Sequence, residues 1–361
     1  MRRKIALLVL VGLTIGLGGY AQAPKYSNEF LNIGVGARAL GMSNSYITTV
    51  NDVTAGYWNP AGLANIGNQY QAAYMHSEYF AGIAKYDYGA IATRLDSSSV
   101  LGLSFVRFGV ENIPNTTELI DANGNIDYNR ITYFSAVDFA LLVSYAKTLK
   151  VKGLRVGASA KVIRRRIGDF AGAWGFGLDA GAQYDYKKWK FAAMARDITS
   201  TFNAWSYNLS DNMKQVFQAT GNDIPTNSVE ITLPKLLLGA ARKFDFGKKI
   251  SLLAEANFDA TFDGKRNVLI SSKAVSVDPH LGLEAGFMNI VFLRGGIGNY
   301  QSYTDATGKT VHTIQPNVGV GVKIKYVYID YAFTNIGNQS VALYSNVFSV
   351  KVDINKKHKL N

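Results

Sequence analysis

From about residue 69 to its end the chain divides into about fourteen short segments in which apolar residues alternate with small or polar ones. Val318, Val320, Val322 and Ile324 alternate with Gly319, Gly321, Lys323 and Lys325; Phe348, Val350, Val352 and Ile354 alternate with Val347, Ser349, Lys351 and Asp353. A helix would scatter these residues over several faces, whereas a strand puts one set on each side. One apolar and one polar face is the requirement of a strand with lipid outside and water inside. The pattern predicts strands over 69–77, 83–94, 98–109, 134–149, 154–167, 172–186, 188–198, 231–244, 248–260, 277–288, 290–300, 313–325, 327–336 and 344–354. Short links at 150–153, 186–188 and 245–248 alternate with long ones at 111–132, 199–230, 261–276 and 301–312, so the loops gather at one end. A sandwich has no reason to do that. The expectation is an all-β protein, a 14-stranded antiparallel transmembrane β-barrel over 69–354.

Composition changes this picture little. The 361 residues include 35 Gly, 21 Tyr and 19 Phe and no Cys, which suits one large barrel better than several sandwich domains. A mean hydropathy of +0.01 is no objection, because only every second strand residue meets lipid.

Residues 1–21 read as a signal peptide. Arg2, Arg3 and Lys4 precede an apolar run from Ile5 to Leu17, and small residues around Ala21 and Ala23 offer cleavage after either. The run is shorter than the roughly 20 residues of a spanning helix. An exported chain without Cys has no disulfides, no thiolate chemistry and no lipid-bearing cysteine. Removing the leader leaves 35 of the 38 basic residues against 26 acidic ones, so +12 becomes +9. Outside the cytoplasm that excess excludes nucleic acid as the natural partner and fits outer-membrane lipid and lipopolysaccharide, or solvated surface. Arg164, Arg165 and Arg166, at the end of a strand, fit interfacial anchoring.

Along the strands Asp138, Lys161, Asp179, Arg196, Glu255, Asn257, Glu284, Arg294, Lys323 and Asp330 fall opposite apolar neighbours and are expected to line the lumen, where mixed acid and base form a salt-bridged interior. Lumen-register glycines at 175, 177, 181, 282, 286, 319 and 321 leave room there. Catalytic and metal chemistry is missing from the sequence. His76, His280, His312 and His358 are scattered, no Cys is present, and neither a nucleophile elbow nor a P-loop occurs. Asp121–Asp127 has alternating oxygen side chains but lacks the distal Glu of a calcium loop. The expectation is no enzyme, no cofactor and no metal.

Residues 22–68 do not alternate. They are dense in Gly and Ala, and Asn59-Pro60-Ala61-Gly62 would open a short helix with Asn59 as its N-cap and Pro60 at its first position. Tethered to the first strand, the segment reads as a plug, or hatch, in the barrel.

Gly36-Ala37-Arg38-Ala39-Leu40-Gly41-Met42, Asp52 and Trp58-Asn59-Pro60-Ala61-Gly62-Leu63-Ala64 resemble the N-terminal signature of the FadL-like superfamily, in particular the PorV/PorQ family of Bacteroidota outer-membrane proteins. The resemblance covers residues 28–66 and is matched beyond them by the strand count. It implies a hatch marked by Gly36, Arg38, Gly41, Asp52, Asn59, Pro60 and Gly62. It also implies a non-enzymatic part in type IX protein secretion, with exported cargo or the translocon as partner. The wider superfamily implies instead a channel for hydrophobic small molecules such as fatty acids or hydrocarbons. One departure is that Ile354 is followed by a basic tail, 355–361, where family barrels usually end near an aromatic. Protein handling needs adaptable aromatic loops, and a hydrophobic channel needs an apolar lumen pocket. The 199–230 loop, with Phe202, Trp205, Tyr207 and Phe217, serves either as a docking surface or as the lip of a pocket.

Overall fold

The alternating segments pair into one closed antiparallel sheet. The computed structural model describes residues 27–79, 82–120, 124–304, 307–334 and 345–355. The leader, the first residues of the 22–68 segment, most of the 355–361 tail and part of the 121–127 turn fall outside these. The strands are β1 (Tyr70–Tyr79), β2 (Ala84–Arg94), β3 (Ser99–Asn115), β4 (Thr132–Thr148), β5 (Leu154–Ile167), β6 (Ala171–Tyr186), β7 (Trp189–Arg196), β8 (Thr201–Tyr207), β9 (Ser228–Thr232), β10 (Lys235–Phe246), β11 (Ile250–Thr261), β12 (Ile270–Ser271), β13 (Ser276–Phe287), β14 (Val291–Thr304), β15 (Thr310–Ile324), β16 (Val327–Thr334) and β17 (Ser345–Ile354). β1 pairs with β2 on one side and with β17 on the other, Tyr70 opposite Ile354, and this removes the sheet's edges.

The wall has fourteen strands, because β7–β8 and β9–β10 are each one wall strand interrupted part-way and β12 is a two-residue addition to β13. β7 pairs with β10 and β8 with β9, so the two breaks lie side by side. At the first break Asp197 and Ser200 take positive φ; at the second Leu233-Pro234 intervenes, and Pro234 has no N–H for the ladder. This corrects the expected 199–230 loop. Phe202, Trp205 and Tyr207 belong to β8, and only Phe217 lies in a loop-end helix, α3 (Asp211–Ala219), the third α-helix among the described residues after α1 (Ala37–Gly41) and α2 (Ala55–Trp58). The ladder rises past the lipid band here, so the strand outlasts its apolar alternation. β3 likewise continues to Asn115 past a bulge between Val110 and Ile113.

Tight turns at 95–98, 149–153, 187–188, 247–249, 288–290 and 325–326 form one end. Leu101, Leu103, Phe105, Leu141, Val143, Leu281, Leu283, Val318, Val320 and Val350 are exposed on the outer face, an apolar band of the kind that meets hydrocarbon. The wall has the build of a transmembrane β-barrel.

The hydrophobic core is inside the wall. Phe30, Leu31, Val35, Leu40, Tyr46, Ile47, Val53, Tyr57, Trp58 and Leu63 of the N-terminal segment pack with the inward-facing Met75, Tyr86, Tyr88, Val100, Val106, Leu142 and Ile163. Close approach explains several lumen glycines. A Cβ on Gly282 would meet the Met42 Cβ at 2.8 Å, one on Gly41 would meet the Gly319 Cα at 3.0 Å, and one on Gly181 would strike the Asn59 amide.

Candidate functional site

α1 and α2 are single turns, too short to persist on their own, so contacts to the wall must hold the N-terminal segment. Arg38, on α1, grips Glu284 of β13 through two bonds, Nε to Oε2 at 2.7 Å and Nη2 to Oε1 at 2.8 Å. Glu284 also accepts from Arg294 Nε at 2.7 Å, and Arg294 reaches Asp330 at 2.6 Å. The result is a buried row of alternating charge across β13, β14 and β16. Asp52 accepts from the Lys351 ammonium at 3.0 Å and from Thr54. Burial pushes its carboxyl up, but Lys351, Thr54 and Arg38 outweigh burial and bring it down to about 2. Glu255 accepts from the Thr48 N–H at 2.8 Å and from the Thr49 hydroxyl at 2.5 Å. Asn59 caps the 3-10 turn Pro60–Asn65 by accepting from the Ala61 N–H, and it donates to the carbonyls of Ile47 and Ala182. The short helix expected here is a 3-10 turn, with Asn59 and Pro60 in the expected positions. The Gly36 N–H points at Met75 Sδ, and Gly62 lies against the Val50 carbonyl.

The other lumen-register residues form separate groups. Lys161 sits between Asp179, at 2.9 Å, and Asp197, at 2.5 Å, beside the first strand break. Asp138 holds Arg165, which also contacts Glu230. Lys323 joins none of these clusters and rests over the Tyr328 ring near the turn end. Among the loop aromatics, Phe202 faces outward and is exposed, whereas Trp205 turns inward, donates to Glu230 and stacks under Arg165.

Above the N-terminal segment, toward the loops, lies a cavity of about 530 Å³. Its lower part presents Ile33, Leu40, Tyr57, Trp58 and Leu237, and its walls present Asp259, Asp278, His280, Asn299, Gln301 and Gln315. Arg196 and Lys235 border it at the level of the strand breaks. Arg196 is 7% exposed; it lies over the Tyr57 ring and donates to the carbonyls of Tyr57 and Leu31. Lys235 donates to the Asn32 side chain. Among the described residues no carboxylate lies within ion-pair distance of either cation. Of the two cations the sequence singles out only Arg196. Lys235 was legible in principle, being in phase with the inward Leu237 and Ala241, but it follows Pro234 at the mouth of a strand whose start was placed earlier. Among the described residues no cluster of metal-ligating side chains is present.

No protein-family model and no curated protein matches the sequence. Solved structures do match in fold. The CymD monoaromatic hydrocarbon channel is 12% identical with a TM-score of 0.57, over 90% of this chain and 99% of that one. The toluene transporter TbuX of Ralstonia pickettii is 14% identical with a TM-score of 0.55, over 89% and 98%. The toluene transporter TodX of P. putida is 13% identical with a TM-score of 0.54, over 90% and 99%. At these identities the likeness is one of fold, that of the FadL-type outer-membrane barrels, whose matched members are channels rather than enzymes. No finding supports the PorV/PorQ assignment or the type IX secretion role that the N-terminal motif implies.

Proposed function

We propose that the protein is a non-enzymatic uptake channel for amphipathic small molecules, hydrophobic compounds carrying an acid group, which enter the cavity from the loop end and pass a hatch formed by residues 27–66. The observation that carries this reading is the cation pair of Arg196, buried, and Lys235, half-buried, whose hydrogen bonds go to neutral acceptors beside apolar surface from Ile33, Leu40, Trp58 and Leu237. Asp179, Asp197 and Asp259 act on these cations only from beyond ion-pair distance, so a carboxylate arriving with an apolar body would make the direct pair they lack and satisfy both parts of the site. The cargoes for which the matched channels are named, toluene and monoaromatic hydrocarbons, support a hydrophobic body. The polar upper walls favour a molecule with a hydrophilic end. The protein-docking reading loses part of its sequence support, because Trp205 is engaged with Glu230 inside the wall and Phe202 belongs to a strand rather than to an adaptable loop.

The test is uptake of an aromatic or fatty carboxylic acid into liposomes holding the purified barrel, beside the uncharged methyl ester. Acid uptake above protein-free liposomes is expected. It should fall about tenfold in Arg196→Met/Lys235→Met, the loss of about 1.4 kcal/mol of binding, with ester uptake unchanged. No uptake above background would sink the channel, and equal loss for acid and ester would sink the acid site.

A further inference from the structure

Charged residues on the lipid face of a barrel are costly, and an ionisable residue in contact with hydrocarbon is by default a functional candidate. Arg242 is such a residue. It falls in the outward register of β10 with Leu238 and Phe244, and Phe244 and Phe246 lie between it and the turn end. Its guanidinium carbon is 5.2 Å from the Trp189 ring centroid and 4.8 Å from that of Phe244. The rings hold it flat against the wall, but its Nε is buried with no hydrogen-bond partner, and among the described residues no carboxylate lies within ion-pair distance.

Arg242 also closes one end of an apolar groove on the outer wall, about 570 Å³ in volume. Register makes the groove. Arg242, Ala254, Leu283 and Gly295 form one cross-strand row, and Ala240, Ala256, Leu281 and Ile297 form the next. Small residues on β10 and β11 therefore lie in a channel between Trp189 on one side and Leu281 and Leu283 on the other. Elsewhere the outer face presents large side chains, such as Leu101 and Leu103 of β3 or Val318 and Val320 of β15.

We infer that this groove is a binding site for one glycerophospholipid of the leaflet facing the turns, with an acyl chain on the Ala240–Ala254–Ala256 shelf and the phosphate on Arg242. Charge complementarity selects this occupant. Guanidinium pairs phosphate through two parallel N–H donors, the cation stands on the turn side of the groove, and the space beyond it is wholly apolar. A neutral hydrocarbon would leave the cation unmet. The site is on the opposite side of the wall from the cavity and does not depend on the uptake reading.

The test is native mass spectrometry of the delipidated full-length barrel after addition of phosphatidylglycerol, or of diacylglycerol with the same chains. One phosphatidylglycerol is expected to remain on the wild type through a detergent wash, with at least a fivefold loss in Arg242→Gln, a similar loss in Ala256→Leu, which fills the shelf, and partial retention in Arg242→Lys. Heat-dependent mobility on gels checks folding of each variant, and binding of the test acid in the cavity should be unchanged. Equal retention of diacylglycerol and phosphatidylglycerol, or no loss in Arg242→Gln, would overturn the phosphate site. Cross-linking of Ala240→Cys into dimers at the expense of lipid would show a second copy on this face and overturn it too.

Discussion

At the scale of single residues, the wall and the N-terminal segment are joined by buried charge rather than by apolar contact alone. Asp52 and Lys351 show the consequence best. Because the folded-state pKa of Asp52 is depressed to about 2, its contribution is present above the pKa of an unfolded aspartate, near 4, and disappears as pH falls from there through the folded value. The shift corresponds to about 2 kcal/mol. Protease sensitivity of the 27–66 segment in the detergent-solubilised barrel should therefore rise between about pH 4 and pH 2. Asp52→Asn should show much of that sensitivity already at neutral pH, since it leaves the half-buried Lys351 ammonium without its carboxylate. A mutant as resistant as wild type across the whole range would show that the pair holds nothing.

At the scale of elements, what was legible in the sequence is what period two can express. β15, β16 and β17 alternate without interruption, and a slip of one residue would turn every apolar side chain into the lumen. Where the ladder leaves the lipid, the outward face no longer has to be apolar and the signal fades, which is why β8 and β9 were read as loop and the break at Asp197–Ser200 was missed. The inward positions Lys161, Glu255, Glu284 and Arg294 follow from register alone. Their partners do not, because Arg38 and Asp197 lie on an aperiodic segment and at a strand break, where no repeat tells which way a side chain points. Register still makes a sharp prediction. Val350 pairs with Tyr74 and Ile329 in the middle of the lipid face, so Val350→Arg should cost about 2–4 kcal/mol in urea-dependent refolding into lipid. Gln315→Arg, on the cavity wall, should cost well under about 1 kcal/mol. Equal penalties would mean that the two faces are misassigned.

At the scale of the whole molecule, barrel and N-terminal segment share one hydrophobic core, which sets them apart from a wall with a removable stopper. Tyr86, Tyr88, Val100, Val106 and Leu142 point inward and would face water if the segment left. Wall glycines such as Gly282 and Gly319 fit its backbone so closely that they would line a gap without it. Opening a passage through the barrel by withdrawing the whole segment would therefore expose apolar surface at roughly 25 cal/mol per Å², against which a local shift near the cavity floor is far cheaper. Deleting residues 27–66 should accordingly have two effects together. The yield of heat-resistant folded barrel should fall several-fold, because half of its core is missing, and the molecules that do fold should show a severalfold higher single-channel conductance in planar bilayers. A deletion variant that folds as well as the full chain would show that the wall carries its own core. One that folds and conducts no more than wild type would place the barrier to flow elsewhere than in the N-terminal segment.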